Sequence, residues 1–388
     1  MRKRIRKELA ELAERSDLRE FHVRTSQKPA KISIRGKNLI DFTNRDFLNL
    51  NHDKSFRRAF QKEVELSGIG AGSSRGCSGT LSAHVALEKR VAEFLGQEAS
   101  LIFSSLNQVE LSIISSLLLE GDCIIVDERV QGSVGDAAYL MNVDAVHYDS
   151  ADPDTLIKTI ESTGMYNKRL IFCHAVNPAT GDVVDVRSIA EISFRYSIPL
   201  IVDESYSIGI LGLRGAGACE RFNISDEVFC IYGSLGTGLG GYGAFAAGST
   251  QLVTYIANRS YTFLNETAFP PPLAAAIAKG IDVIELEPAK RERIHEYNKI
   301  IRNALQKLGL RVSDSFESAM VGIPFSDRGI AEDVAEGLFQ KGFLVEVVPS
   351  REILASSGVL RLILNSAHKM KQIDDFIATF ADIYNRTV

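Results

Sequence analysis

Short apolar runs alternate with longer stretches of helical periodicity through the middle of the chain. From Ser100 the runs are SLIFSS, DCIIVDE, DAVHYDS, RLIFCHAV, IPLIVDE and EVFCIYG, with enough residues between successive runs for a helical crossover. Connections of that length join parallel strands, which predicts a mainly parallel α/β sheet with helices on both faces. Ligands of such sheets bind beyond the carboxyl ends of the strands. A small-residue run from Gly243 to Gly248 reads as one more buried strand behind a Gly-rich turn. Residues 281–309 read as one long helix leading away from the sheet, and SAMVGIPF, FLVEVVP and VLRLILNS as strands beyond it. Ahead of the sheet, residues 31–50 alternate as short strands around Gly36, and the opening MRKRIRKELAELAERSDLRE puts Ile5, Leu9 and Leu12 on one helical face. Three parts follow: an N-terminal helix with short strands (1–50), a large α/β domain (51–280) and a small C-terminal α/β domain (281–388).

Composition narrows the class. With 388 residues, 45% of them hydrophobic and 24% charged, the chain can bury a large core and fits a two-domain cytoplasmic protein. A net charge of −5 gives no general pull toward nucleic acid. Cys77, Cys123, Cys173, Cys219 and Cys230 are scattered and never form a CxxC pair, so neither a disulfide framework nor a metal site is expected. No signal peptide and no membrane-spanning run is visible. The narrow apolar face of the N-terminal helix suits packing on a partner subunit; peripheral contact with an anionic membrane is the alternative, disfavoured by the acidic residues that interrupt its basic side.

Two glycine-bearing segments carry the candidate chemistry. The first, IGAGSSRGCSGTLSAHVALEKRVAEFLG (69–96), fails as a dinucleotide fingerprint because no strand precedes it and the GxGxxG spacing breaks at Arg75; the absence of GK[ST] excludes a P-loop. The second, CIYGSLGTGLGGYGAFAAG (230–248), brings backbone close to a neighbour after a strand end.

The second segment resembles the lysine loop of the α-oxoamine synthases, a family of pyridoxal-phosphate (PLP) enzymes, written G-T-F-S-K-A-L-G-G-Y-G-G-F. Gly233 to Phe245 falls on that pattern without a gap, and Thr237 takes the lysine's place. The 69–96 segment resembles the family's G-x-G-G-S-R-x-x-x-G-T-x-x-x-H-x-x-L-E in Gly70, Gly72, Ser74, Arg75, Gly79, Thr80, His84, Leu87 and Glu88. VDESYSIGILG (202–212) and NETAFPPPLAAA (265–276) continue the resemblance, as does Leu360-Arg361-Leu362 with His368. It implies the PLP-dependent transferase fold type I: a large domain on a mainly parallel seven-stranded sheet and a small C-terminal domain. The family lysine forms the imine with the cofactor and moves the substrate's α-proton; a threonine hydroxyl can do neither, and no lysine lies between Lys168 and Lys279.

Other positions take their roles from the same resemblance. Asp203 holds the place of the aspartate that pairs with the pyridinium nitrogen, Ser234 and Thr267 those of two phosphate-binding hydroxyls. Gln131 and Tyr206 replace two histidines, the first of which stacks on the cofactor ring in the family. The Gly-aromatic pair of the phosphate cradle becomes Leu106-Asn107, its asparagine Glu110, and a glutamate becomes His174. Arg361 stands where the family binds a substrate carboxylate, and Arg75 lies in the loop at the active-site mouth. His84, read by itself, is a helix-packing or capping histidine.

The chain therefore resembles a lysine-less family member such as the non-catalytic subunit of serine palmitoyltransferase. That implies a catalytically impaired protein with no covalent cofactor, paired with a lysine-bearing paralogue that holds PLP and condenses an amino acid with an acyl thioester. One alternative is a homodimer that uses the vacated cleft to bind a regulatory small molecule. Another is PLP-independent acyl transfer, with His174 or Tyr206 as acid or base and Cys173 or Ser205 as nucleophile.

Overall fold

A computed structural model of the chain describes residues 1–14, 18, 21, 23–128, 133–348 and 357–387. Helix α1 (Arg2–Glu14) is followed by the strands β1 (Arg24–Lys28), β2 (Lys31–Ile34) and β3 (Lys37–Asp41), which form an antiparallel meander. Two helices, α2 (Lys54–Ser67) and α3 (Ser82–Leu95), lead into the large domain. There strands and helices alternate: β4 (Ala99–Phe103), α4 (Leu106–Leu117), β5 (Cys123–Asp127), α5 (Ser133–Leu140), β6 (Asp144–Tyr148), α6 (Pro153–Ser162), β7 (Arg169–His174), α7 (Val186–Tyr196) and β8 (Leu200–Asp203). After the short α8 (Ala218–Arg221), β9 (Cys230–Ser234) and β10 (Ala244–Gly248) complete the sheet, and α9 (Thr250–Arg259), α10 (Tyr261–Asn265) and α11 (Pro271–Leu286) follow, α11 packing on α2 and α3. The C-terminal part comprises α12 (Ala289–Lys307), β11 (Met320–Phe325), α13 (Arg328–Gln340), β12 (Phe343–Leu344), β13 (Glu346–Val348), β14 (Gly358–Ile363) and α14 (Met370–Thr387).

The large sheet has seven strands in the order β4-β10-β9-β8-β7-β5-β6. All neighbours run parallel except β10, which is antiparallel to β4 and β9. The mainly parallel seven-stranded sheet expected from the sequence is thus present. Because side chains alternate between faces, each strand feeds two cores. Ile125, Ile171, Cys173, Val202 and Ile231 pack on one side. Val126, Phe172, Ile201, Tyr232 and the α4 residues Val109, Ile113 and Ile114 pack on the other. Side-chain caps begin several helices, with Ser105 accepting from the Gln108 amide at α4 and Asp185 from the Ser188 amide at α7.

The Gly-rich turn is the tight connection from β9 to β10. The Leu235 amide donates to the Gly243 carbonyl at 2.9 Å, and the Gly240 amide to the Thr237 carbonyl at 2.9 Å. Gly243 has a φ of +81°, and a Cβ there would strike the Phe103 carbonyl and the Phe269 ring. The close backbone approach expected of this segment is real, and it fixes Thr237 at the carboxyl end of the parallel strands.

One expected helix is broken. Instead of a single helix over 281–309, α11 ends at Leu286 and α12 begins at Ala289, with Glu287 and Pro288 between them. Proline has no N–H to continue the ladder and its ring crowds the preceding turn. The apolar run FLVEVVP also divides: β12 pairs with β3, whereas β13 joins the antiparallel β11-β14-β13 sheet. The C-terminal part is sealed onto the N-terminal strands by His368. Its ring stacks on Phe42 at 4.5 Å, its Nδ1 accepts from the Asn365 amide and its Nε2 lies 3.1 Å from the Asp41 carbonyl.

Candidate functional site

Register builds the centre of the site. His174 on β7 lies opposite Asp203 on β8, and Asp203 lies opposite Tyr232 on β9, so three polar side chains occupy one row at the carboxyl ends of adjacent strands. Tyr232 projects into the same core as α4. From α4, Glu110 meets this row. Its carboxylate accepts from the Tyr232 hydroxyl at 3.3 Å and from the Ser133 hydroxyl. All four are deeply buried, with 8% of His174, 3% of Asp203, 3% of Glu110 and 1% of Tyr232 exposed.

Burial and charge set their protonation. Burial pushes the Glu110 carboxyl up to about 7, with the neighbouring Asp203 adding to the rise against the opposing hydrogen bonds. Burial alone would lower His174, but the carboxylates of Asp203, Asp127 and Glu110 outweigh it and raise the imidazole above its ordinary range. His174 Nδ1 lies 2.9 Å from Asp203 Oδ2, an ion-pair contact whose angle is poor for a hydrogen bond. Burial drives the Tyr232 hydroxyl well up, so it stays protonated as a donor.

A second chain of bonds links Asp203 to the Gly-rich turn. Asp203 Oδ1 accepts from the Ser205 amide at 2.8 Å and from the Ser205 hydroxyl. The Ser205 oxygen accepts in turn from the Ser234 amide at 3.0 Å, and Ser234 Oγ accepts from the Gly236 amide at 3.0 Å. Thr237 is 4% exposed, and its hydroxyl donates to the Ser205 carbonyl, with the Ser234 carbonyl at 3.3 Å. Asp203, Ser234 and Thr237, three positions singled out in the sequence, are therefore brought together and tied to one another through Ser205.

The remaining sequence-derived candidates lie further out. Tyr206 is half-buried beneath the Arg45 guanidinium, 5.9 Å from its ring centroid. Gln131 lies outside the described residues. Arg361 is 2% exposed on β14; its guanidinium donates to Glu346 at 2.8 Å and to the Pro178 carbonyl. Arg75 is a clamp inside its own segment, paired twice with Glu88 at 2.8 and 3.0 Å and once with Thr80 at 3.0 Å. Thr267 is exposed and bridges Ser74 through the backbone. His84 takes the capping role, its Nδ1 accepting from the Leu81 amide at 3.0 Å.

Chemically, the arrangement is a closed buried network. Ser205 is bonded to Asp203, with His174 on the carboxylate's other oxygen, so the hydroxyl does not meet an imidazole base. Cys173 points into the opposite core, and burial raises its thiol well above the ordinary range. Of the groups named for PLP-independent acyl transfer, neither Ser205 nor Cys173 is thus bonded to His174 among the described residues. Sequence reading noted Glu110 only as a lost asparagine and passed over Tyr232. The available signals were a carboxylate on the otherwise apolar face of α4 and a tyrosine in register with a strand-end aspartate.

The sequence model of the family described as aminotransferase class I and II matches residues 37–380. The 8-amino-7-oxononanoate synthase of Methylococcus capsulatus is 30% identical over 96% of each chain. That of Geobacter sulfurreducens is 28% identical over 99% of this chain and 98% of the relative. Among solved structures, the serine palmitoyltransferase of Sphingomonas wittichii superposes with a TM-score of 0.91 at 22% identity, covering 99% of this chain and 96% of the other. The 8-amino-7-oxononanoate synthase of Francisella tularensis gives 0.77 at 23%, covering 90% and 98%.

Proposed function

Because the chain belongs to the PLP-dependent α-oxoamine synthase family, we propose that it is a member without the covalent cofactor chemistry, acting as the non-catalytic partner of a lysine-bearing paralogue. The observation that carries this reading is Thr237, whose buried hydroxyl donates to the Ser205 carbonyl where the family pattern has its imine-forming lysine. A hydroxyl cannot condense with an aldehyde to an imine, and no lysine of the surrounding segment replaces it. A fold neighbour described as holding a PLP internal aldimine has a TM-score of 0.91 at 21% identity, so the scaffold suits the cofactor while these residues do not fit its covalent form.

A partner role is supported by the surface around the retained segments. Ile69, Val85, Tyr242 and Tyr261, within or beside the segments that match the family pattern, expose 77%, 54%, 53% and 77% of their surface. Apolar groups so placed favour a subunit contact. Helix α1, which has no buried residue, suits the same contact with Ile5, Leu9 and Leu12. No helix among the described residues is long and apolar enough to cross a membrane.

We assign the complex's substrates by class, an amino acid and an acyl thioester. The serine palmitoyltransferase likeness rests on fold at 22% identity, whereas the synthase of M. capsulatus matches at 30% along the chain, so a sphingolipid substrate is not singled out. The test uses the purified chain alone. Hydride reduction after incubation with PLP is expected to leave no stoichiometric cofactor adduct in the cleft, and a panel of amino acids with acyl thioesters to release no thiol. A single reduced adduct between residues 168 and 279, or sustained thiol release, would overturn the reading.

A further inference from the structure

Resting on the cofactor-free reading above, we propose that His174 is the resident cationic partner of Asp203, standing against the carboxylate where a bound pyridinium would have to stand and closing the cleft to pyridoxal-type ligands even if a lysine is supplied. Loss of the lysine would by itself leave a cavity with an aspartate waiting for a ring nitrogen. The structure shows something different.

Asp203 has a protein partner on each oxygen. Oδ1 is held by the amide and hydroxyl of Ser205, and Oδ2 lies 2.9 Å from His174 Nδ1. The pairing is built into the sheet, because the two residues are cross-strand neighbours in the parallel ladder between β7 and β8. His174 also faces acidic groups from other elements: Asp127 at the end of β5 and Glu110 on α4 bear on it together with Asp203. Tyr232 on β9 closes the row through Glu110. An imidazolium among several buried carboxylates offsets their charge without any ligand. Adding a second ring cation against Asp203 would set like charges side by side in a poorly solvated space.

This replacement differs from the lysine loss in kind. Thr237 removes a reaction, whereas His174 supplies a charge, and supplying it makes the site complete as it stands. Histidine at the end of β7 and glutamic acid on α4 depart together from the residues of the family pattern, and the fold places them around one aspartate.

The test is a protonation measurement paired with a binding measurement on the full chain. With ring-labelled histidine, His174 is identified among the seven histidines by the signal lost in His174→Gln, or by the signal displaced in Asp203→Asn if the first variant is unstable. In the wild type that ring is expected to be doubly protonated at pH 7, and to titrate at lower pH in Asp203→Asn. Pyridoxamine 5′-phosphate then serves as the binding probe, since it carries the ring nitrogen and phosphate but needs no lysine. It is expected to leave the wild-type melting temperature unchanged and to raise that of His174→Gln by a few degrees. A neutral His174 at pH 7, equal stabilisation of both proteins, or none of His174→Gln would overturn the proposal. Cofactor captured covalently by the wild type would instead sink the reading it rests on, because none of these readouts needs a partner or turnover.

Discussion

Thr237 and Glu110 show how far single residues decide the behaviour of this cleft. In Thr237→Lys the new amine enters a place where a short hydroxyl now satisfies the Ser205 carbonyl, beside an aspartate already paired with His174. The variant is expected to form no saturating imine with PLP and to show no turnover, checked by absorbance and by thiol release. Glu110 gives a pH signature. Its carboxyl is raised from 4.5 to about 7 by burial, so the folded chain binds the proton more tightly than the unfolded one. The stability this group contributes is therefore present at acid pH and declines as pH rises from about 4.5 to about 7, by on the order of 3 kcal/mol. His368, held down at about 4 by burial, acts the other way and loses stability as pH falls below about 6.5. Subtracting the Glu110→Gln stability curve from the wild-type curve should isolate the first trend; a flat difference between pH 5 and 7 would contradict it. Of these residues, Thr237, Asp203 and Ser234 were legible in sequence because each lies within an ungapped motif. Glu110, His174 and Tyr232 come from three separate elements, and only strand register and the seating of α4 make them one cluster.

At the scale of elements, the parallel strands were readable because both their faces are buried, which turns each into a short unbroken apolar run. The break between α11 and α12 was less visible, since helical periodicity continues on both sides of Pro288. Helix α12 carries a second feature that its polar appearance conceals. Arg302 is 1% exposed and donates to Asn298 Oδ1 at 2.9 Å, to the Ser313 carbonyl at 3.0 Å and to Asp182 at 3.2 Å. It also reaches the carbonyls of Thr180 and Met320 at 3.2 and 3.3 Å, joining the large domain's TGD turn to β11. Arg302→Ala strips Asn298 Oδ1 and the Ser313 carbonyl of their guanidinium donor and removes the ion pair to Asp182, while Thr180, Met320 and Asp182 keep bonds from Gly322, Asn298 and Ser313; a loss of about 2–3 kcal/mol is expected. A markedly lower urea midpoint would show it, and an unchanged midpoint would mean that water replaces the guanidinium.

For the whole molecule, the family scaffold is retained while the aspartate at the centre of its site is partnered by the chain's own side chains, Ser205 on one oxygen and His174 on the other. The glycine loop, the Arg75–Glu88 clamp and the His84 cap all serve the chain's own architecture. Fold-level resemblance was legible because those structural residues are short, spaced motifs. Function was less so, because what distinguishes this chain is a set of replacements whose effects appear only when they are seen in contact. The exposed apolar residues beside the retained segments and the unburied α1 are the features from which we propose a partner. The central claim is tested most directly by native mass spectrometry of the protein isolated from its own cells at endogenous level. A heterodimer with a lysine-bearing paralogue carrying one PLP is the expected result, and a homodimer without such a partner would contradict it.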